Sequence, residues 1–187
     1  MRVEIKYKLR LATLDDMDEL TELMNGSIRK YLAVRMTPEQ VEASFELMGM
    51  DTDLIIDQTL YVAENDQRIL GCGGWSRRAT LFGSDHTPGR NPRLLDPKRE
   101  GARIRAMYTH PEHGKMGVGS GILAACEAAA YDAGFRDLNL MSTLAGERLY
   151  LKHGYSVLER LRVATKSGPH IPLARMTKNI RRIINAG

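Results

Sequence analysis

The chain has 187 residues, of which 43% are hydrophobic and 27% charged, an ordinary composition for a folded protein with a core. Its formal net charge of +4 mildly favours anionic small molecules and falls short of the basicity typical of nucleic-acid-binding proteins. No low-complexity linker divides the sequence, so we expect a single domain over residues 1–187.

The cysteines and the amino-terminal residues indicate the compartment. Cys72 and Cys126 belong to no metal-ligand spacing, so we expect reduced, buried thiols. Residues 1–6 alternate charged and apolar side chains, unlike a signal peptide, and no stretch approaches membrane-spanning length. These features predict a cytoplasmic protein.

A strand and two helices are predicted first. Residues 3–11 alternate as a strand does, and Thr13 then caps a helix that continues to about Tyr31. Thr37 and Pro38 begin a second helix. The buried stripe of that helix is expected to comprise Val41, Phe45 and Met48.

A hairpin and a long loop follow. Two strand-like segments, 59–63 and 69–75, flank the turn-like residues 64–67, which indicates an antiparallel pair. Residues 77–101 show neither helical nor strand periodicity. A connection of that length is usually functional or mobile, and we place this long loop at about 78–101.

The second half predicts an α/β arrangement. A strand at 104–109, an alanine-rich helix ending at Gly134 and a strand at 137–141 form a βαβ unit with a parallel pair. Three further elements are expected, namely a short helix at 146–153 and strands at 156–164 and 171–176. The sequence therefore predicts a mixed central sheet flanked by helices.

The segment 113–121 has the composition of a phosphate-binding loop. It is rich in glycine and opens a helix, where free N–H groups and the helix dipole favour an anion. The dinucleotide fingerprint fails because Ile122 stands at its last glycine, and a P-loop fails because Met116 follows Lys115. A turn that only packs the helix against the strand remains the alternative.

These residues and the order of elements resemble the GCN5-related N-acetyltransferases, which transfer an acyl group from acyl-coenzyme A (acyl-CoA) to an amine. The family's R/Q-x-x-G-x-G/A signature matches at Gly117 and Gly119, but Gly114 stands where Arg or Gln is usual. The backbone donors of residues 115–119 remain, so the resemblance implies acetyl-CoA binding with altered affinity. Lys115 is the candidate for the missing charge.

A second match carries the catalytic expectation. The segment 147–155 resembles the family's Tyr-x-x-x-Gly-Phe/Tyr helix, in which Tyr150 takes the place of the tyrosine that protonates the departing thiolate. From the residues alone, the alternative is that Tyr150 is a half-buried packing aromatic on an amphipathic helix, which is the commoner fate of tyrosines. Segments 71–78 and 142–146 also resemble a bacterial subgroup whose acceptors are mostly unassigned.

The resemblance further implies a cofactor path. The strand at 104–109 would splay from its parallel neighbour at 139–141, and a main-chain N–H near Met107 or Tyr108 would polarise the thioester carbonyl. The implied cofactor-binding residues are Met107, Tyr108, Thr109, Gly114, Lys115, Met116, Gly117, Val118, Gly119, Ser120 and Asn139.

The acceptor side is less well defined. Ser27, Tyr31 and the loop at 78–101 are expected to line it, and Trp75 is either core or part of its wall. The candidates for a general base are Glu64, Asp85 and His86.

We expect no metal and no nucleic acid. His110, Glu112 and His113 are interpreted as solvated residues because Pro111 and the loop setting disfavour a ligand set. The residues 178–187, with Lys178, Arg181 and Arg182, are interpreted as a basic tail.

The resemblance, together with these observations, implies an acetyl-CoA-dependent N-acetyltransferase that acts on a small-molecule amine by direct attack on the thioester, with Tyr150 as general acid. A homodimer is left open, and no membrane partner is expected. The alternatives are a non-catalytic CoA-binding sensor domain and a protein or peptide N-acetyltransferase.

Overall fold

The computed structural model describes residues 6–180, whose seven strands form one mixed sheet. The elements in chain order are β1 (Lys8–Leu11), α1 (Met17–Leu32), α2 (Pro38–Ser44), α3 (Thr52–Ile56), β2 (Leu60–Glu64), β3 (Ile69–Ser76), β4 (Ala102–Thr109), α4 (Val118–Asp132), β5 (Asp137–Thr143), α5 (Glu147–Lys152), β6 (Ser156–Ala164) and β7 (His170–Asn179). Short 3₁₀ turns precede α1 and α4. The predicted α/β class with a mixed sheet is confirmed.

The strand order is β1-β2-β3-β4-β5-β7-β6, and all neighbours are antiparallel except β4 and β5. The predicted hairpin of β2 and β3 and the predicted parallel pair are therefore confirmed. The parallel pair is short, because only Ala102 with Leu138 and Arg103 with Asn139 are paired. Beyond Arg103 the two strands separate, as the resemblance implied.

Local capping explains where the first two helices begin. Thr13 donates its N–H to Asp16 Oδ2 at 2.8 Å, which closes the turn before α1. At the start of α2, Thr37 and Gln40 exchange hydrogen bonds of 3.2 and 3.3 Å. Both predicted helix starts are thus confirmed.

Both faces of the sheet are covered. Neighbouring residues of β2 point to opposite faces, so Val62 packs with α1 and α3 while Ala63 packs in the cluster that contains α4. A third apolar cluster joins the end of α1, the α2 region and the start of β7. The separation of β4 and β5 lies between these helical layers.

One prediction about the helices needs correction, and one short helix was missed. Helix α2 ends at Ser44, so Phe45 and Met48 lie beyond it and are only partly buried. Helix α3 was not predicted, because its five residues carry no side-chain cap and are too few to show a helical period.

The chain ends also differ from expectation. Lys178 is not part of a tail, since it lies in β7 with its Nζ 2.7 Å from Glu127 Oε2. Residues 3–5 of the predicted first strand, and Arg181 and Arg182 of the predicted tail, lie outside the described residues.

The thiols and the helix lengths agree with the sequence analysis. Cys72 and Cys126 are fully buried, and burial raises the pKa of the Cys72 thiol to about 12. Within residues 6–180, no helix combines the length and the apolar character needed to cross a bilayer.

Candidate active site

A cleft of about 1180 Å³ opens where β4 and β5 separate. Its walls come from α1, the residues after α2, the loop at 81–83, β4, the turn into α4, β5 and α5. Asp51 is the single acidic residue among the described residues that line it, whereas Arg105, Lys115, Arg148 and Lys152 line it as cations. The cleft is therefore suited to an anionic ligand.

The turn into α4 leaves a row of backbone donors free. Lys115 and Gly117 adopt left-handed conformations, with φ of 65° and 86°. Among the described residues, none of the N–H groups of residues 115–120 has a hydrogen-bond partner, and Gly121 is the first to bond, to Gly117 O at 3.0 Å. Free donors at the positive end of a 15-residue helix are suited to binding an anion.

Space around Gly117 is open, because a Cβ there would meet nothing within 4 Å. Residue 117 therefore favours glycine because of its left-handed backbone conformation and not because a side chain would clash. Gly114 is different: a Cβ there would overlap the Tyr31 hydroxyl and lie 3.2 Å from Tyr31 Cζ. Tyr31, a residue of α1, thus lines the cleft directly beside the predicted phosphate loop.

Strand β4 carries a bulge at the point where it leaves β5. Ala106 has φ of 51°, and Ala106 and Met107 together face the single residue Gly73 of β3. The following residues, Met107 to Thr109, line the cleft and have no partner in β5. Main-chain groups on this edge of β4 are therefore exposed to a ligand in the cleft.

Tyr150 lies on α5 and reaches the cleft from the α4 side. Its side chain is buried, and its ring packs edge-on against Tyr155 with centroids 5.6 Å apart. Burial raises the pKa of Tyr150 well above its ordinary value. The phenol therefore remains protonated throughout the neutral range.

The opposite part of the cleft is mostly apolar. Ile28 and Leu32 of α1, Met48 after α2 and Leu173 of β7 belong to the third apolar cluster. Ser27 is buried beside them. The Tyr108 hydroxyl accepts a hydrogen bond of 3.1 Å from Gly49 N, which fixes its ring in this wall.

One buried ion-pair network holds the long loop against this wall. Asp51 Oδ2 lies 2.8 Å from Arg105 Nη2, without the angle of a hydrogen bond, and Asp51 Oδ1 accepts from Arg90 at 2.6 Å. Arg90 also bonds Asp53 at 2.7 Å, and Arg105 donates to the loop carbonyl of Gly83. Burial lowers the pKa of Arg105, and the Asp51 carboxylate opposes that effect.

Two predicted site residues lie elsewhere. Asn139 is paired with Arg103 before the strands separate and does not line the cleft; Met141 to Thr143 take that place. Trp75 is in the core, edge-on to Phe135 at 6.2 Å, and is not part of the cleft wall.

None of the predicted general bases lines the cleft. Glu64 accepts from Arg10 Nε at 2.8 Å, and Asp85 accepts from Thr52 N at 2.9 Å. His86 Nε2 lies 2.6 Å from Phe45 O. Each of these side chains has a structural partner instead.

His110, Glu112 and His113 do come together, with potential ligand atoms all within 4.8 Å of one another. His110 Nδ1 accepts from Glu112 N at 3.2 Å, and Arg68 Nη1 lies 3.4 Å from Glu112 Oε2. Burial lowers the pKa of His110. These contacts account for the arrangement without an ion, and the expected absence of a metal stays a prediction.

Sequence reasoning missed Arg105, Asp51 and Arg148. A signal existed for Arg105, because it is the charged residue between Ile104 and Ala106 in a strand predicted for the central sheet. A cation at such a position needs a buried partner. Nothing near Asp51 in the sequence identifies it as that partner, since the two residues are far apart in the chain.

Comparison with known proteins agrees with this geometry. The family model described as "Acetyltransferase (GNAT) domain" matches residues 57–157, more than half of the chain, so the chain belongs to this family of GCN5-related N-acetyltransferases. Membership confirms the predicted class, an acetyl-CoA-dependent acyltransferase. No curated protein matches significantly.

Solved structures share the fold. A GCN5-related N-acetyltransferase from Rhodopseudomonas palustris has 20% identity and a TM-score of 0.71, covering 95% of this chain and 98% of its own. PaiA N-acetyltransferase from Thermoplasma acidophilum, solved with coenzyme A, has 15% identity and a TM-score of 0.64, covering 94% and 100%. YncA from Salmonella typhimurium, solved with acetyl-CoA, has 17% identity and a TM-score of 0.61, covering 95% of both chains.

The network around Asp51 yields a stability prediction. The change Asp51→Asn leaves Arg105, with only 4% of its side chain exposed, without its buried counter-charge. We expect it to lower the free energy of unfolding by about 3 kcal/mol in urea denaturation.

The matched control is Glu42→Gln, which breaks the exposed pair of Glu42 and Arg29 and should leave stability unchanged. We also expect Asp51→Asn to speed proteolysis within residues 81–90, because the loop loses its anchor. Equal stability of the two variants would contradict the proposed importance of the network.

Proposed function

We propose that this protein transfers the acetyl group of acetyl-CoA to the amine of a small molecule by direct attack on the thioester, with Tyr150 as the general acid. The observation that carries the proposal is the row of unpartnered N–H groups at residues 115–120, next to a cleft that also contains a buried tyrosine.

The residues present fit coenzyme A. The N–H groups of residues 115–120 would hold its diphosphate, and Lys115, Arg148 and Lys152 supply positive charge in the same cleft. The unpaired edge of β4 at Met107 to Thr109 would bond the amides of the pantetheine arm. The coenzyme A and acetyl-CoA found in PaiA and YncA support this assignment.

The bulge in β4 suits an oxyanion site. An extra residue at Ala106–Met107 takes main-chain groups out of the ladder with β3. A free N–H near Met107 or Tyr108 would bond the thioester oxygen as negative charge develops on it. In the transfer, the amine nitrogen forms a bond to the carbonyl carbon, the carbon–sulfur bond breaks, and the thiolate leaves.

Tyr150 donates a hydrogen bond to the leaving thiolate. Because burial raises its pKa above its ordinary value, the phenol holds its proton and can donate it toward the sulfur. An alkyl thiol has a pKa of about 8.5, below that of this phenol, so Tyr150 acts as the general acid by sharing its proton with the departing thiolate in a strong hydrogen bond.

The acceptor amine must also lose a proton. Asp51, the one carboxylate described in the cleft wall, is held by Arg90 and Arg105 and is therefore not free to contact the amine. An alkylammonium has a pKa of about 10, so only its minor neutral form attacks at neutral pH. We propose that water, rather than a side chain, removes the proton.

The acceptor is proposed to be an amine on an apolar body. Its part of the cleft is lined by Ile28, Leu32, Met48, Phe82 and Leu173, with one ion pair and no unpaired carboxylate among the described residues. A polyamine would bring a second cation that finds no counter-charge there.

A small acceptor is favoured over a peptide. Leu81 to Gly83 line the cleft, and the loop that carries them is held by Arg90 and Arg105. This anchoring limits the opening needed for an extended peptide.

Tyr150 in the same cleft argues for catalysis over a sensor role.

Gly117 provides a test of the phosphate site. We expect Gly117→Ala to weaken CoA binding at least about tenfold, because Ala at φ of 86° distorts the row of donors. The readout is the dissociation constant of CoA by calorimetry.

Gly168 is the matched control, since it also has a positive φ, of 108°, and nothing within 4 Å of its Cβ position. It lies in the turn between β6 and β7 and outside the cleft wall. Gly168→Ala should lower stability similarly and leave CoA binding intact. Equal binding losses would mean that strain alone explains the effect.

Tyr150→Phe tests the proton donor. We expect kcat with acetyl-CoA and 2-phenylethylamine to fall about 100-fold, with little change in KM for acetyl-CoA. Tyr155→Phe is the control, because Tyr155 is equally buried, touches the Tyr150 ring and does not line the cleft. Full activity of Tyr150→Phe would remove this role.

The pH profile is a separate prediction. Tyr150 must be protonated to act, and its raised pKa keeps it so beyond the ordinary value of 10.0. The acceptor must be neutral, so kcat/KM should rise with pH up to the pKa of the amine. A descending limb below pH of about 10 in the wild type would contradict the assignment.

Acceptor choice follows from the wall chemistry. In thiol-release assays, 2-phenylethylamine should have a kcat/KM about tenfold or more above that of spermidine. The change Leu173→Asp, in the apolar wall, should reduce this preference. A wild-type preference for spermidine would overturn the apolar assignment.

A further inference from the structure

Gly114 departs from the family signature, and the structure shows what occupies the space. The hydroxyl end of Tyr31 lies where a Cβ at residue 114 would be, and Cζ and Cε1 lie 3.2 and 3.4 Å from that position. A side chain at residue 114 and the present position of Tyr31 therefore exclude each other. The two residues are 83 positions apart in the chain.

Tyr31 is bonded to the segment that leads into the loop. Its hydroxyl lies 3.3 Å from both His110 O and Pro111 O, so it donates its one proton to this pair of carbonyls. Burial raises the pKa of Tyr31, and the hydroxyl keeps that proton. The ring is half-buried and lines the cleft.

The rest of α1 reinforces this contact. Lys30 Nζ donates to Pro111 O at 2.7 Å. Gly26 lets the helix approach closely, because a Cβ there would lie 2.9 Å from Pro111 Cγ. Three residues of α1, spread over about one and a half turns, thus hold the chain immediately before the unpartnered N–H groups of residues 115–120.

We propose that Tyr31 is a positioning residue that replaces, from α1, the side chain missing at residue 114 and holds the loop in the form that binds a diphosphate. This inference rests on the proposed function, since it concerns the same cofactor loop. Tyr31 acts through the backbone at 110–114, and its ring adds a rigid wall in place of a long side chain, which would lose more rotamer freedom.

Because Tyr31 and a side chain at residue 114 compete for one space, the effect of Gly114→Gln on CoA affinity should reverse when Tyr31 is also replaced. In the natural background, Gly114→Gln should weaken CoA binding about tenfold or more, because the new side chain overlaps Tyr31. Tyr31→Leu should weaken CoA binding about fivefold, through the lost hydrogen bond to the loop. In the Tyr31→Leu background, Gly114→Gln should instead strengthen CoA binding, since the space is free and the amide can replace the lost contact.

The experiment is calorimetric titration of CoA into the wild type, the two single variants and the double variant. Tyr131→Phe, a tyrosine change on α4 outside the cleft wall, serves as the control and should not alter the dissociation constant. Melting temperatures without CoA separate folding from binding. Tyr31→Phe, a smaller change, gives the hydroxyl's own effect if Tyr31→Leu folds poorly.

The inference would be overturned if the effects of the two changes on the free energy of CoA binding were additive in the double variant. It would also be overturned if the Tyr31→Phe variant bound CoA as the wild type does. Either result would leave the proposed function intact. Failure of the wild type itself to bind CoA would overturn the proposed function and this inference with it.

Discussion

The site depends on backbone amides that the fold leaves without partners. Helix α4 cannot satisfy its first N–H groups, and the left-handed residues Lys115 and Gly117 add more free donors in front of it. Because no side chain caps this end, a bound anion is the remaining way to satisfy the donors other than water. The splayed strands β4 and β5 open the cleft at the same place, so the proposed binding and chemistry would share one opening.

The two sides of the cleft have different chemistry for a physical reason. The α4 side carries free donors and cations, which suit phosphates, and the α1 side is apolar with its charges paired internally. The proposed cofactor and acceptor would enter from different sides and meet at the bulge of β4. Tyr31 connects the sides, because one tyrosine of α1 both lines the cleft and holds the residues before the loop.

Local patterns predicted much of this arrangement. The hairpin, the βαβ unit and the caps at Thr13 and Thr37 depend on neighbours in sequence, and the structure confirms them. Contacts between distant segments were beyond such reasoning. They include the pairing of Asp51 with Arg105, the packing of Trp75 on Phe135 and the overlap of Tyr31 with the space beside Gly114. Asn139 was misplaced because strand register fixes where the splay begins.

The most direct test of the central claim is a proton–nitrogen NMR titration of the labelled protein with CoA. The account predicts that the largest amide shifts fall on residues 115–120, with the proton resonances moving downfield as the diphosphate accepts their hydrogen bonds. Saturable CoA binding whose largest shifts lie elsewhere, with the amides of residues 115–120 unmoved, would contradict it.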